Sequence, residues 1–261
     1  MSTTGTTRKI GRKIGTKSDA EVVTLPAREA VTAATADAIV AAAAEAIAAR
    51  GRFLLVLSGG STPRALYELL ATPAYAGRVD WHRTHVFWGD ERCVPPDDRS
   101  SNYRMAREAL LDRVPISPET IHRMRGEDPP QAAAAAYEAD LRKIFGAPVP
   151  RFDVVLLGMG DNGHTASLFP HLTAVRETSR WVVAEYVGEV SMWRLTLTPP
   201  ALNAAARVLF VVVGGDKAPM LSRVLEGPRD IDLLPAQVIA PADGVLTWVV
   251  DTAAAAKLAP G

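Results

Sequence analysis

Residues 154–170 read Val154-Val155-Leu156-Leu157-Gly158-Met159-Gly160-Asp161-Asn162-Gly163-His164-Thr165-Ala166-Ser167-Leu168-Phe169-Pro170. Four branched apolar residues with nothing polar between them predict a strand buried on both faces. Gly158, Gly160 and Gly163 then allow a tight backbone path that side chains would block. Residues 165–169 predict a short helical turn, stopped by Pro170. His164 is thereby expected at the C-terminal end of a buried strand and beside a helix N-terminus. In an open parallel sheet, that edge is where ligands bind. A lone histidine more often only caps a turn. The glycines before this one and the small hydroxyl residues after it favour a functional role.

Outward from this stretch, the same order of strand, glycine turn and helix recurs. Residues 53–57 predict an apolar strand, followed by the turn Ser58-Gly59-Gly60-Ser61-Thr62-Pro63. Thr62 suits an N-cap and Pro63 a first helical residue, with the helix running to Leu70. Residues 86–88 predict a strand leading into Gly89-Asp90-Glu91-Arg92, and Ser101 can cap a helix over 102–111. Residues 208–213 predict a strand before Gly214-Gly215-Asp216-Lys217, then a helix to about residue 225, stopped by Gly227-Pro228. Residues 245–250 form the last predicted strand, and Asp251 caps a short final helix. The alanine-rich segments 27–50 and 131–145 predict helices ended by Gly51 and Gly146. Residues 181–198 can hold two strands, with an antiparallel excursion as one arrangement. Alternating strands and helices imply a three-layer α/β/α fold around a mostly parallel, Rossmann-like sheet.

Composition bounds the function. At 261 residues, 48% apolar and 22% charged, the chain fits an ordinary globular protein. One domain over 21–261 is expected, behind a basic, disordered tail over 1–20 that carries Arg8, Lys9, Arg12, Lys13 and Lys17. That tail lacks the apolar run of a secretory signal. Lysine plus arginine equals aspartate plus glutamate, 29 each, so no global field draws nucleic acid or an acidic membrane, and any anion site must be local. No apolar run is read as a membrane span. The single cysteine, Cys93, excludes an internal disulfide and fits a reducing, cytoplasmic setting.

Parallel strands bring their C-terminal ends to one edge, so the turns at 58–63, 89–92, 158–164 and 214–217 should converge. Gly59, Gly60, Ser61 and Thr62 would offer N–H groups and hydroxyls to a phosphate. Arg92 and Lys217 would supply cations, and His164 a base largely neutral near pH 7. The remaining histidines show no metal-ligand spacing with carboxylates, so neither metal nor cofactor is expected. Neither glycine turn is read as the dinucleotide fingerprint Gly-x-Gly-x-x-Gly, and residues 59–62 lack the lysine of a nucleotide P-loop, which favours a small phosphorylated substrate.

These stretches, together with Phe87-Trp88-Gly89-Asp90-Glu91-Arg92-Cys93-Val94-Pro95, Ser100-Ser101-Asn102-Tyr103 and Arg194-Leu195-Thr196-Leu197-Thr198, resemble the 6-phosphogluconolactonase family in order and over roughly residues 22–258. The resemblance implies a sheet of the sugar-phosphate isomerase type. It also implies metal-free hydrolysis of a phosphorylated sugar lactone in the oxidative pentose phosphate pathway. It makes His164 the general base, Arg92 and Lys217 the groups that neutralise the phosphate or the oxyanion, and residues 59–62 the sugar-phosphate end. Arg194 matches a third family cation. A salt bridge to Asp90 or Glu91 is the alternative reading of both arginines. The family commonly reads Gly-x-Gly-x-Asp-Gly-His. Here Asn162 takes the aspartate position, so either Asp161 reaches the imidazole or the ring works with a less raised pKa.

Two rival functions share the fold. One is an amino-sugar-phosphate isomerase or deaminase with Asp90 as its base; the other is a sugar-phosphate sensor without turnover. Cys93, Trp88 and Trp81 are read as packing residues, and Tyr103 as either packing or site. A monomer is expected.

Overall fold

The computed structural model describes residues 6–10, 20–146 and 149–259. Ten strands and seven α-helices alternate along it. The strands are β1 (Thr6–Ile10), β2 (Ala20–Leu25), β3 (Phe53–Leu57), β4 (Thr84–Trp88), β5 (Asp90–Arg92), β6 (Val154–Leu157), β7 (Val182–Val187), β8 (Met192–Leu197), β9 (Arg207–Val212) and β10 (Val245–Asp251). The helices are α1 (Arg28–Arg50), α2 (Ser61–Leu70), α3 (Pro73–Ala76), α4 (Asn102–Ala109), α5 (Pro130–Phe145), α6 (Pro199–Asn203) and α7 (Ala218–Glu226).

Seven strands form one sheet in the order β1-β2-β10-β9-β6-β3-β4. All are parallel except β1, which runs antiparallel to β2. Every residue of β3 and β6 is buried, so helices cover both faces, as the apolar runs predict. In the centre, Trp248 of β10 stacks on Phe210 of β9, its register partner, at 3.8 Å between ring centroids. Trp81 and Trp88 are core residues, each 1% exposed. Tyr103 lies edge-on to Trp88.

Some elements differ from the sequence reading. Most of the expected tail lies outside the described residues, but Thr6–Ile10 is an edge strand and Ala20 already opens β2. Helix α1 is long and apolar enough to cross a membrane by length and composition, contrary to the sequence reading. Its apolar content has a local reason: Val31, Ala36, Ile39, Ala42, Ala43 and Ala46 are buried in the core of this fold. Helix α2 begins at Ser61 rather than Pro63. Its cap is Gly60, at φ 107°, and not the Thr62 side chain. Ser101 does cap α4, accepting from Arg104 N–H at 3.1 Å. Asp251 accepts from Ala254 N–H at 2.8 Å and closes the final turn, which is 3-10 rather than α.

A second, smaller sheet stands beside the first in the order β5-β8-β7, all antiparallel. This is the excursion expected over 181–198, with one strand the sequence reading did not contain. Gly89 joins the two sheets: its N–H donates to Leu57 O at 2.9 Å, and its carbonyl accepts from Leu197 N–H at 2.8 Å.

Candidate active site

The turns after β3, β4 and β6 meet at the C-terminal edge of the main sheet, as parallel pairing requires. The β7–β8 connection closes the fourth side. Between them lies a cavity of about 350 Å³ lined by His164, Asn162, Asp161, Arg92, Arg194, Gly59, Gly60, Asp90, Asn102, Ser167 and Glu189, among others.

His164 reaches this cavity by an irregular turn rather than by a helix. Gly163 adopts φ 80° and Ala166 φ 47°. Gly160 N–H donates to His164 O at 2.9 Å, and Thr165 Oγ1 donates to Gly158 O at 2.9 Å. Thr165 and Leu168 form a lone antiparallel bridge where a helical turn was expected. The side chains explain the difference. Thr165 and Ser167 spend their hydroxyls on Gly158 and Asp90, and such bonds compete with helix formation. Residues 158–163 spell Gly-x-Gly-x-x-Gly, but with no helix after them they lack the N-terminal amides that hold a dinucleotide pyrophosphate. Gly160 has a steric reason instead: a Cβ there would lie 2.0 Å from His164 Cε1.

The imidazole is held on two sides. It stacks on Phe169 at 4.1 Å between centroids. Its Nδ1 lies 2.7 Å from Asn162 Oδ1, which also accepts from His164 backbone N–H at 3.1 Å. The Asn162 amide nitrogen donates to Glu189 Oε2 at 2.8 Å. A carboxylate only accepts, so Asn162 turns its NH2 to Glu189 and its carbonyl oxygen to the ring. Nδ1 therefore carries the ring proton and Nε2 a lone pair. Burial lowers the His164 pKa, opposed by Asp90 and Glu189 and assisted by Arg194 and Lys217. The neutral form expected from the sequence is the form this environment favours.

Asp161 does not reach the ring. Its exposed carboxylate pairs with Lys217, whose ammonium lowers its pKa. Lys217 thus adjoins the site through Asp161 and does not line the cavity. Ser61 and Thr62 likewise stand behind Gly59 and Gly60, in the first turn of α2. Gly59 is required by contact, since a Cβ would lie 2.0 Å from Asn102 Oδ1.

Arg92 and Arg194 are register partners across β5 and β8. Among the described residues neither forms an ion pair, so the salt-bridge alternative does not hold. Arg92 Nη1 donates to Ser100 O, and the buried Nε atoms of both arginines have no hydrogen-bond partner. Burial, and then Arg92 beside it, lower the Arg194 pKa. Asp90 and Glu91 oppose that shift from nearby without forming an ion pair, and two adjacent guanidinium groups so placed suit an anion. Glu91 is committed elsewhere. It accepts from Arg92, Asn102 and Tyr103 N–H groups at 2.7–2.8 Å and from Ser101 Oγ at 3.1 Å. Asp90 accepts from Ser167 Oγ at 2.7 Å and from Asn102 Nδ2 at 3.3 Å. Burial and Glu91 push the Cys93 thiol up to about 11, which leaves it a packing residue.

Glu189 is the functional candidate that sequence reasoning missed. It lies in the 3-10 turn Gly188–Val190, 25 residues from His164, with no local motif to mark it.

A mostly parallel α/β/α sheet, with an oriented imidazole at its C-terminal edge beside two arginines that form no ion pair among the described residues, suits an enzyme for a small anionic substrate. Residues 26–248 match the family of glucosamine-6-phosphate isomerases and 6-phosphogluconolactonases. The chain belongs to this family. It is 47% identical over 214 residues to a 6-phosphogluconolactonase of Nostoc sp. PCC 7120, covering 80% of this chain and 86% of the relative. It is 39% identical over 198 residues to that of Haemophilus influenzae, covering 76% and 84%. The solved 6-phosphogluconolactonase of Trypanosoma cruzi superposes with a TM-score of 0.80 at 27% identity, covering 92% of this chain and 97% of that one.

Proposed function

We propose that this protein hydrolyses 6-phospho-D-glucono-1,5-lactone to 6-phospho-D-gluconate. The observation that carries the reading is the His164 imidazole, held as the Nδ1–H tautomer, in a cavity it shares with two arginines that form no ion pair among the described residues. Nε2 takes a proton from water as the water oxygen attacks the lactone carbonyl. The resulting oxyanion collapses, the bond from the carbonyl carbon to the ring oxygen breaks, and the imidazolium returns its proton to that oxygen. A base so placed contributes ~10²–10⁴-fold. Arg92 and Arg194 hold the phosphate or the oxyanion, with Gly59 and Gly60 at the sugar-phosphate end and Ser61 and Thr62 behind them. Lys217, paired with Asp161 at the rim, reaches an anion only by leaving that pair. No step calls for a metal or cofactor, and the enzyme is assigned to the cytoplasm, which suits its single cysteine.

The isomerase or deaminase alternative needs Asp90 free to abstract a proton. Here both Asp90 oxygens accept hydrogen bonds, from Ser167 and Asn102. The test offers freshly generated 6-phosphogluconolactone and, separately, glucosamine 6-phosphate, following acid release and ammonia release. Acid release well above the spontaneous rate, without ammonia, supports the lactonase. Ammonia release without lactone hydrolysis would transfer the assignment to Asp90.

A further inference from the structure

Against the His164 ring this chain sets an amide, and the amide has a carboxylate behind it. Asn162 uses both ends of its side chain, accepting from the His164 ring at 2.7 Å and donating to Glu189 at 2.8 Å. We infer that Glu189 is a positioning residue for the lactonase reaction, fixing through Asn162 the His164 tautomer that leaves Nε2 as the base and setting a negative charge behind the imidazole. The inference rests on the reading of His164 as the general base.

The geometry gives each residue one role. An asparagine alone can present either oxygen or nitrogen to a ring. With nitrogen toward the ring, Nδ1 would accept, Nε2 would carry the proton, and the base would be lost. Glu189 selects the other orientation because an ionised carboxylate cannot donate. Glu189 has no ion-pair partner among the described residues. Its place is fixed by the small sheet. The turn Gly188–Val190 joins β7 to β8, and Ser191, at φ 49°, bends the chain back. The same β8 carries Arg194 and pairs with the strand of Arg92, so the small sheet presents both the anion clamp and the orienting carboxylate.

Other charges also face His164. Asp90 raises its pKa along with Glu189, while Arg194 and Lys217 lower it. Asp161 is neutralised by Lys217. The predicted effect of Glu189 is therefore a partial shift on a pKa that burial already depresses.

Asn162 and Glu189 also form an exclusive pair. An aspartate at 162 would set two carboxylates at hydrogen-bond distance, where they repel or must share a proton. The test uses Glu189→Gln, Asn162→Asp and the double variant, reading the His164 ring titration by NMR and the pH profile of kcat/KM. Glu189→Gln is expected to lower the His164 midpoint by about half a unit and kcat by about 3–10-fold, with KM little changed. Asn162→Asp should be the more damaged single variant, and adding Glu189→Gln to it should restore activity to within about 3-fold of wild type. A His164 titration indifferent to Glu189, or an Asn162→Asp defect that Glu189→Gln leaves unrelieved, would overturn the proposal. The NMR titration does not depend on turnover. A wild type inactive on the lactone overturns the lactonase reading instead.

Discussion

The surroundings of His164 favour its neutral form. Burial disfavours its charged form more strongly than Asp90 and Glu189 favour it, so its pKa falls below the ordinary 6.5. The sign of the pH dependence follows. If His164 is the base, as proposed, it is lost as pH falls through this depressed midpoint, so kcat/KM should rise with pH on a limb centred below 6.5 and then level off. A limb centred well above 6.5, measured on fresh lactone with the spontaneous rate subtracted, would show that the carboxylates dominate. At this scale the sequence was informative wherever a residue and its reason lie close together. His164, Asn162 and the glycines occupy one turn, and Arg92 follows its strand directly. Glu189 was not legible, because its contact exists only once a hairpin 27 residues further on folds over Asn162.

Elements set the positions of these residues, and small residues make the room. Gly160 does not have a positive φ, so alanine is compatible with its backbone; the obstacle is the His164 ring, 2.0 Å from a Cβ. Gly160→Ala should push the ring off Asn162 and lower kcat by about 100-fold, while costing only about 1 kcal/mol of stability for the lost hydrogen bond. Parallel assays and urea titrations separate the two effects, and equal activity in the variant would contradict the packing described. The strands and helices with long apolar or alanine-rich runs were legible, since period and composition agree in them. Others were not, and three bear on the site. β5 is Asp90–Arg92, three charged residues that form a strand only because β8 pairs with them. Residues 165–169 look helical until Ser167 finds Asp90 and Ala166 turns to φ 47°. α2 starts at Ser61 because Gly60, at φ 107°, can make the bend that Thr62 was expected to make.

At the scale of the molecule, the two edges of the main sheet differ in chemistry. The C-terminal edge collects the arginines and His164. On the strand next to the site, His85 of β4 meets His122, their ring nitrogens 3.0 Å apart. His122 also stacks on Phe87 at 4.6 Å. Burial first, and then His85 beside it, push the His122 midpoint down to about 4. In this folded-state depression of a base, the unfolded chain takes up the proton first, near pH 6.5, so stability is lost as pH falls from there towards 4. His122→Gln keeps a hydrogen-bonding side chain without titrating in that window. Its Tm should decline less than that of wild type between pH 6.5 and 4, and parallel declines would remove the pair from the account. The mostly parallel sheet was legible from the alternation of runs. The separate three-stranded sheet was only half legible, since its two longer strands could be read but their partner could not.

The central claim is that His164 activates the water. The direct measurement is acid release from freshly generated 6-phosphogluconolactone by wild type and His164→Ala, each against the spontaneous rate, with circular dichroism to confirm that the variant is folded. The account predicts rapid release by wild type and a loss of ~10²–10⁴-fold in a variant that remains folded. A folded His164→Ala that hydrolyses the lactone at nearly the wild-type rate would contradict it.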